Sequence, residues 1–229
     1  MRRREGDPII CTVDVVLLTL RDDSLCVLLL KRDREPFAGA LALPGGYVRP
    51  DEDQDAAAAA SRVLREKTGL VSPYLEQLAT FSGPARDPRG WSVSVVYFAL
   101  VPSSMLQADP PGVELLPVAR LPRLPFDHGE IVREAVARLR AKSQYSSLPV
   151  YLCPERFTLP QLQAVYEAVL GEPINKVSFR RKMDELGMLE PIPGELEVGR
   201  AHRPAQLYRL RPEYRHALSM VDRGINARG

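Results

Sequence analysis

The stretch from residue 43 to residue 70 carries the residue types best suited to phosphate chemistry. Gly45 and Gly46 are predicted to close a turn after an apolar run, since glycines permit positive φ and close approach of a ligand to the backbone. A helix is predicted to follow, because a run of alanines has high helix propensity and Gly69 is a typical helix end. Positions 63, 66 and 67 then share one helix face, where three carboxylates could hold Mg2+ ions that polarise a pyrophosphate.

Those three positions hold Val63, Glu66 and Lys67, so only one of them is acidic. A lysine beside the remaining glutamate weakens the local field that would attract a divalent cation. The residues on this helix face therefore do not suit a metal-bound pyrophosphate.

The same stretch resembles the Nudix box of pyrophosphohydrolases, Gly-x5-Glu-x7-Arg-Glu-U-x-Glu-Glu-x-Gly-U with U aliphatic. The matching positions at its C-terminal end are Arg62, Leu64, Glu66, Gly69 and Leu70. Gly46 and Glu52 keep the five-residue spacing, but nine residues instead of seven separate Glu52 from Arg62. The resemblance implies an α/β/α sandwich whose pocket binds a nucleotide. Because Val63 and Lys67 occupy two of the three helical carboxylate positions of the box, we expect a pocket that has lost hydrolysis, with no catalytic residue, no cofactor and a doubtful role for Mg2+.

The flanking sequence agrees with that fold. Residues 8–20 and 25–31 are rich in β-branched and aliphatic residues and predict a β-hairpin. Residues 74–81 and 91–101 predict two more strands, and a helix is expected from residue 129 to about 142 with Ile131, Ala135 and Leu139 as its apolar stripe.

Several side chains around the predicted pocket suit a nucleotide. Phe37 is placed either to stack on adenine or in an ordinary core, and Arg86 and Arg89 either hold a diphosphate or ribose or lie solvated at a hairpin tip. His128 either touches the ligand or makes a structural bond near a helix start. The predicted ligand-binding set is Arg32, Phe37, Gly45, Gly46, Glu52, Arg62, Glu66, Arg86, Arg89 and His128.

Composition is that of a globular protein, with 229 residues and a net charge of +2. The longest apolar runs fall short of a membrane span and no signal peptide is recognisable, so we expect a cytoplasmic protein without membrane contact. Cys11, Cys26 and Cys153 lack metal-site spacing and are predicted to be buried free thiols.

A polar segment, residues 143–147, followed by Pro149 is predicted to link two domains, residues 1–146 and 147–229. Lys and Arg balance Asp and Glu at 19 each in the first, whereas the second carries 12 against 10. This small excess permits nucleic-acid binding without arguing for it.

The second domain predicts a helix-turn-helix unit. Thr158 and Gly171 bound one helix, and a short turn leads to a second helix from Val177 to Leu186. The second helix is expected to bury Phe179, Met183 and Leu186 as its apolar stripe. Its opposite side would then present polar and basic residues outward, which suits a DNA major groove. The predicted DNA-binding residues there are Asn175, Lys176, Ser178, Arg180, Arg181 and Lys182.

Two further strands, residues 188–190 and 205–210, are predicted on either side of a basic segment. A strand, basic tip and strand after a helix-turn-helix make a winged helix. Arg200, His202 and Arg203 in that tip could reach phosphates or the minor groove. Arg2, Arg3 and Arg4 could form a DNA-contacting arm or only a frayed terminus.

Taken together, the two halves resemble the Nudix-related transcriptional regulators of NAD metabolism over nearly the whole chain. The resemblance implies a homodimeric repressor that binds operator DNA and is released by ADP-ribose or a related nucleotide. Two alternatives stay open: an active ADP-ribose pyrophosphatase with an appended winged helix, and a winged helix that binds protein instead of DNA.

Overall fold

The computed structural model describes residues 9–106, 112–197 and 204–214. The chain divides into two compact units. Val27–Ala99 forms the greater part of the first unit. The second unit consists mainly of the residues from Val136 onward, together with Thr19–Cys26 and Leu100–Gln107. No helix within the described residues is long and apolar enough to cross a membrane.

The first unit is built on a mixed sheet of seven strands within the described residues. Its central path runs β3-β2-β1-β6-β5, with β4 paired to β1 and β7 paired to β2. The strands are β1 (Ile10–Arg21), β2 (Ser24–Lys31), β3 (Leu41–Ala42), β4 (Gly45–Tyr47), β5 (Tyr74–Gly83), β6 (Ser92–Leu100) and β7 (Val113–Pro117).

Strand β1 lies at the centre of this sheet and is buried on both faces. Residues 13–18 alternate between the two faces of the strand, yet all are buried, and the hydrophobic ones are fully enclosed. A strand enclosed on both sides needs a covering layer on each face, as a sandwich provides. The predicted hairpin of two apolar strands is confirmed as β1 and β2.

Two helices accompany the sheet, α1 (Ala56–Thr68) and α2 (His128–Ser143). Asp55 caps α1 by accepting a hydrogen bond from the Ala58 amide, and Gly69 ends it in the left-handed conformation. The alanines that gave the helix its propensity also let it pack closely, since Ala59 and Ala60 are fully buried. The predicted helices are confirmed.

Three serines of the segment predicted to be a polar linker are buried, whereas Gln144 and Tyr145 are exposed. Ser143, Ser146 and Ser147 have almost no exposed surface, and a 3-10 helix, η3 (Leu148–Leu152), follows with every residue buried. The serine hydroxyls satisfy themselves locally: Ser143 donates to the Leu139 carbonyl and Ser146 to the Lys142 carbonyl. Local hydrogen bonds therefore allow the serines of this polar segment to be buried, and the domain boundary between residues 146 and 147 stays a prediction.

The second unit contains the predicted helix-turn-helix and a small sheet. Its elements are β8 (Phe157–Thr158), α3 (Leu159–Leu170), α4 (Lys176–Leu186), β9 (Leu189–Glu197) and β10 (Ala205–Leu210), with sheet order β8-β10-β9. Thr158 and Gln161 form a capping box at the start of α3, and Gly171 ends it. Strand β9 extends seven residues past the predicted end at residue 190.

Helices α3 and α4 are joined through their apolar sides. The Tyr166 and Phe179 rings are 5.4 Å apart in an edge-to-face arrangement, and Met183 and Leu186 are buried. Gln163 donates to the Ile174 carbonyl and Glu167 accepts from the Ile174 amide, which fixes the turn between them. The predicted apolar stripe of α4 is therefore confirmed.

The three cysteines are free, but they are not alike. Cys26 and Cys153 are buried as predicted, and burial raises the pKa of both thiols. Cys11 is exposed. Its position near the start of an otherwise buried strand made it look like a core residue.

Candidate functional site

A cleft of about 410 Å3 in the first unit brings most of the predicted pocket residues together. Eight lysines and arginines line it against four aspartates and glutamates, so it suits an anionic ligand. The basic residues are Lys31, Arg32, Arg34, Arg49, Arg62, Lys67, Arg86 and Arg89, and the acidic ones are Asp14, Asp33, Glu66 and Asp87.

Gly45 and Gly46 lie in strand β4, beside β1, and not in a turn as predicted. A Cβ atom at Gly45 would stand 2.1 Å from Asp14 Oδ1, and one at Gly46 would stand 3.0 Å from a Val63 methyl group. Neither glycine has positive φ in this structure. These positions need glycine because protein side chains approach them closely, and the cleft wall depends on that approach.

Arg62 anchors helix α1 to the loop that precedes it. Its guanidinium donates to both Asp53 oxygens at 2.7 Å, to Glu66 Oε2 at 3.2 Å and to the Tyr47 carbonyl at 3.0 Å. The hydrogen bonds from Arg62 lower the pKa of Asp53 to about 2. The same bonds with Asp53 raise the pKa of Arg62.

Asp53, and not Glu52, therefore fills the acidic position that pairs with the box arginine. The five-residue spacing from Gly46 predicted Glu52 for this position, but Glu52 is exposed and pairs with Arg49. The two-residue insertion before Arg62 moves the pairing carboxylate one position along. The unexpected spacing was the signal that could have identified Asp53.

Arg49 connects the two glutamates that were predicted to belong to the pocket. Its Nη1 donates to Glu52 Oε2 at 2.9 Å and to Glu66 Oε1 at 3.1 Å, and Nη2 lies 3.3 Å from Glu66 Oε2. The Arg49 amide is held by Asp53 Oδ2 at 2.7 Å. Arg49 was not predicted because it occupies one of the five positions between Gly46 and Glu52 for which the box specifies no residue type.

Arg86 is buried in the cleft wall with two carboxylates. Both Asp127 oxygens accept from it at 2.9 Å, Asp14 Oδ2 lies 3.5 Å away, and Ser92 Oγ lies 3.3 Å away. Asp14 also accepts from the Ser94 hydroxyl at 2.6 Å. Arg86 thus lines the cleft as predicted, but most of its donors are engaged with the protein.

Arg89 also lines the cleft and is more exposed to solvent than Arg86. It donates to Asp87 at 2.6 and 3.0 Å and to the Tyr47 hydroxyl at 2.7 Å, and its guanidinium lies over the Tyr47 ring. Burial alone would raise the pKa of Asp87, but its bonds with Arg89 outweigh burial and lower it. This arrangement leaves a cation at the solvent side of the cleft.

Another edge of the cleft is formed by a cluster of one guanidinium and two aromatic rings, from Arg32, Phe37 and Phe126. The Arg32 guanidinium lies 5.0 Å from the Phe126 ring centre, and Phe37 meets that ring edge-on at 5.0 Å. Phe37 is 42% exposed, so its placement as an ordinary core residue is wrong. Arg32 and Phe126 line the cleft, whereas Phe37 supports Phe126 from the side.

His128 lies in the cleft wall but is committed to the protein. Its Nδ1 accepts from the Leu43 amide at 3.0 Å, and its Nε2 lies 3.7 Å from Asp14 Oδ1. Burial lowers the pKa of this histidine, which favours the neutral ring that can accept from the amide. Of the two roles left open for His128, this geometry supports the structural one.

In the second unit, the outward side of α4 carries the predicted basic residues with one exception. Lys176, Arg180 and Arg181 are exposed and Ser178 is half-buried. Lys182 is buried, and its ammonium lies 2.9 Å from Glu185 Oε2. The prediction that Lys182 faces outward was wrong because the long side chain folds back along its own helix.

The first turn of α4 differs from expectation in two ways. Asn175 caps the helix by accepting from the Val177 and Ser178 amides, so its carbonyl oxygen is engaged. Val177 is 76% exposed, which sequence periodicity did not single out. Arg200, His202 and Arg203 lie outside the described residues, as do Arg2, Arg3 and Arg4.

The fold and these two surfaces define the class of protein. A basic cleft beside a glycine-containing strand and a helix lies in one unit, and a helix-turn-helix with an antiparallel hairpin lies in the other. The NUDIX domain profile matches residues 11–139, and the NrtR DNA-binding winged helix domain profile matches residues 149–210.

Full-length relatives share both parts. The chain is 43% identical over 204 residues to the ADPR responsive transcriptional repressor NtrR of Acinetobacter baylyi, covering 87% of this chain and 81% of that protein. Its structure is similar to that of Shewanella oneidensis NrtR in complex with a 27mer DNA, with a TM-score of 0.86 and 40% identity over 93% of this chain and 98% of the other.

The Nudix part also has a ligand-bound counterpart. The NUDIX domain of Shewanella oneidensis NrtR in complex with ADP ribose is 40% identical and matches 58% of this chain and 90% of its own length, with a TM-score of 0.53. The chain belongs to the NrtR family of Nudix-related transcriptional regulators. The family resemblance and the fold class stated from sequence are confirmed.

Proposed function

We propose that this protein is a transcriptional repressor of NAD biosynthesis or salvage genes that binds operator DNA as a homodimer and is released by ADP-ribose or a related nucleotide. The observation that carries the proposal is the combination, on one chain, of a basic Nudix cleft and a winged helix that presents an arginine-rich helix. The ADP-ribose-responsive repressor of Acinetobacter baylyi supports it by its identity over 87% of this chain. Since operator and repressor must share a compartment, the protein would act in the cytoplasm.

The effector is proposed to bind the first unit as a dianionic diphosphate with an aromatic base. Arg32 and Arg89 have the exposure to contact it, and the Arg32–Phe126 stack offers a flat surface for a base. The other predicted residues, Phe37, Gly45, Gly46, Glu52, Arg62, Glu66, Arg86 and His128, would shape the cleft and hold those contacts in place.

DNA recognition is proposed for the exposed side of α4. Arg180 and Arg181 have the chemistry to contact guanine edges or phosphates, and Lys176 and Ser178 stand at the helix end that enters a major groove. A two-fold dimer would bring two such helices to successive grooves about 34 Å apart. We retain residues 1–146 and 147–229 as the effector and DNA-binding domains.

The direct experiment is fluorescence anisotropy of the protein's own upstream DNA, titrated with protein in the absence and presence of ADP-ribose. The nucleotide in the same samples is analysed by chromatography. Specific binding that ADP-ribose weakens while the nucleotide stays intact is the expected result. Binding that ignores ADP-ribose would contradict the proposed effector.

The second candidate is an active ADP-ribose pyrophosphatase, which the retained Glu52 and Glu66 favour. That enzyme would release AMP and ribose phosphate in a metal-dependent reaction, and Glu66→Gln would abolish it. We propose that this activity is lost, since Val63 and Lys67 replace two of the three helix carboxylates. Absence of turnover with either Mg2+ or Mn2+ is therefore expected.

A further inference from the structure

The Nudix fold implies a divalent cation on the α1 face, but the residues of this chain do not fit one. Val63 is buried against Gly46, and Lys67 brings a positive charge to the same face. Glu66 is the acid that remains among the three positions. Across the part of the chain that the structure describes, no cluster of three or more His, Cys, Asp or Glu side chains is arranged to hold a metal.

A guanidinium lies between the two remaining glutamates. One nitrogen of Arg49 is within hydrogen-bond distance of both Glu52 and Glu66, and its second terminal nitrogen reaches the other Glu66 oxygen. Each Glu66 oxygen therefore has an arginine donor, and Arg62 adds a second donor to Oε2. A metal ion would have to compete with these bonds to obtain Glu66 as a ligand.

The position of Arg49 is fixed by its surroundings. Its amide donates to Asp53, and Asp53 is held by the buried Arg62. The side chain is 45% exposed in the cleft. A guanidinium has five N–H donors, and the contacts with Glu52 and Glu66 use three of them, so two can reach phosphate oxygens.

We propose that Arg49 takes the place of the divalent cation, so that this protein binds its diphosphate effector without a metal. The inference rests on the proposed function and identifies the group that would bind the diphosphate in the same cleft. Arg49 supplies positive charge and directed donors for a diphosphate. A guanidinium does not lower the pKa of a bound water as a metal ion does, so binding is kept while hydrolysis is lost.

The test is isothermal titration of the full chain with ADP-ribose, in EDTA and in excess Mg2+. The wild-type affinity is expected to be equal within about two-fold in the two conditions. Arg49→Ala should lower the affinity in EDTA on the order of 10-fold, since charge-assisted hydrogen bonds are lost. Excess Mg2+ should then restore part of the lost affinity, because Glu52 and Glu66 no longer bond to Arg49 and can bind the metal ion.

Two variants separate this role from a structural one. Arg49→Lys keeps a charge and is expected to lie between wild type and Arg49→Ala. Arg65→Ala removes an exposed arginine of helix α1 that does not line the cleft, and should behave as wild type in both conditions. Mn2+ binding followed by electron paramagnetic resonance adds a second readout: Arg49→Ala should bind Mn2+ more tightly than wild type.

Three results would overturn the inference. The first is a wild-type affinity that rises 10-fold or more with Mg2+, and the second is an Arg49→Ala variant that binds like wild type in EDTA. The third is an Arg49→Ala variant, correctly folded by circular dichroism, that gains neither Mg2+ response nor Mn2+ binding. Wild type that binds no ADP-ribose in either condition contradicts the proposed effector itself, and operator binding then shows whether the repressor function survives.

Discussion

The cleft of the first unit and the exposed side of α4 both present arginines, but they hold them in opposite ways. Arg62, Arg86 and Arg89 are each bonded to at least one carboxylate, at distances down to 2.6 Å. On α4, Arg181 has only a 3.9 Å contact with Glu185, and Lys176 and Arg180 make no ion pair within the described residues.

This difference matches two kinds of ligand. Fixed cations are pre-organised for a small anion of defined shape, since little side-chain entropy is lost when it binds. Mobile, solvated cations suit a DNA backbone, where binding is driven by neutralising many phosphates. We therefore propose that the same residue type contributes to folding in the cleft and to DNA affinity on α4.

The largest expected effect is on folding, from Arg86→Ala. Removing this buried arginine leaves Asp14 and Asp127 without their common partner, and the free energy of unfolding should fall by about 3–5 kcal/mol. Urea denaturation followed by circular dichroism measures it. Arg180→Ala is the matched control and should change stability by less than about 0.5 kcal/mol. Equal losses in the two variants would remove the distinction between the regions.

Charge reversal on α4 should affect DNA binding alone. Arg180→Glu with Arg181→Glu is expected to weaken operator binding by about 10-fold or more per arginine and to flatten its salt dependence. The matched control, Arg65→Glu with Arg133→Glu, reverses two exposed arginines of α1 and α2. Anisotropy titrations at several salt concentrations compare them. A double variant of α4 that keeps wild-type affinity would show that α4 is not the DNA-contacting helix.

The Asp53–Arg62 pair should make folding sensitive to acid. The folded pKa of Asp53 is depressed to about 2, below its unfolded value of about 3.9. The contribution of the pair to the free energy of unfolding is therefore present above about pH 4 and is lost as the pH falls through about 2. Melting temperatures should drop more steeply over this window in wild type than in Asp53→Asn. Asp51→Asn, which changes an exposed neighbour, should follow wild type, and parallel curves for all three proteins would contradict the assignment.

The smallest effect concerns Val177. An exposed valine in the first turn of a major-groove helix is suited to contact a thymine methyl group, which is worth about 3- to 10-fold in affinity. Replacing operator thymines by uracil removes only that methyl group. Wild type should lose affinity on the uracil operator, whereas Val177→Ala should bind both DNAs alike. Identical losses in both proteins would place Val177 away from the bases.

Sequence patterns predicted the parts of this protein that depend on local physics. Hydrophobic periodicity and end signals such as Asp55, Gly69 and Thr158 act over a few residues, so the helices, the hairpin and the helix-turn-helix followed from them. The same holds for Arg62 and Glu66 in the cleft, because the spacing of the box itself encodes a helix face.

The rest depended on contacts between distant residues. The burial of Lys182, the pairing of Asp53 with Arg62 and the close approach of Asp14 to Gly45 are set by tertiary packing, which a linear pattern does not contain. Arg49 illustrates the limit best: its importance comes from Glu66, which lies 17 residues away.

The central claim is that effector binding in the cleft and operator binding by α4 are coupled, and reciprocity tests it most directly. Isothermal titration gives the ADP-ribose affinity of the protein alone and of the protein saturated with operator DNA. The account predicts that operator weakens ADP-ribose binding by the same factor by which ADP-ribose weakens operator binding. An ADP-ribose affinity that is unchanged by saturating operator would contradict it.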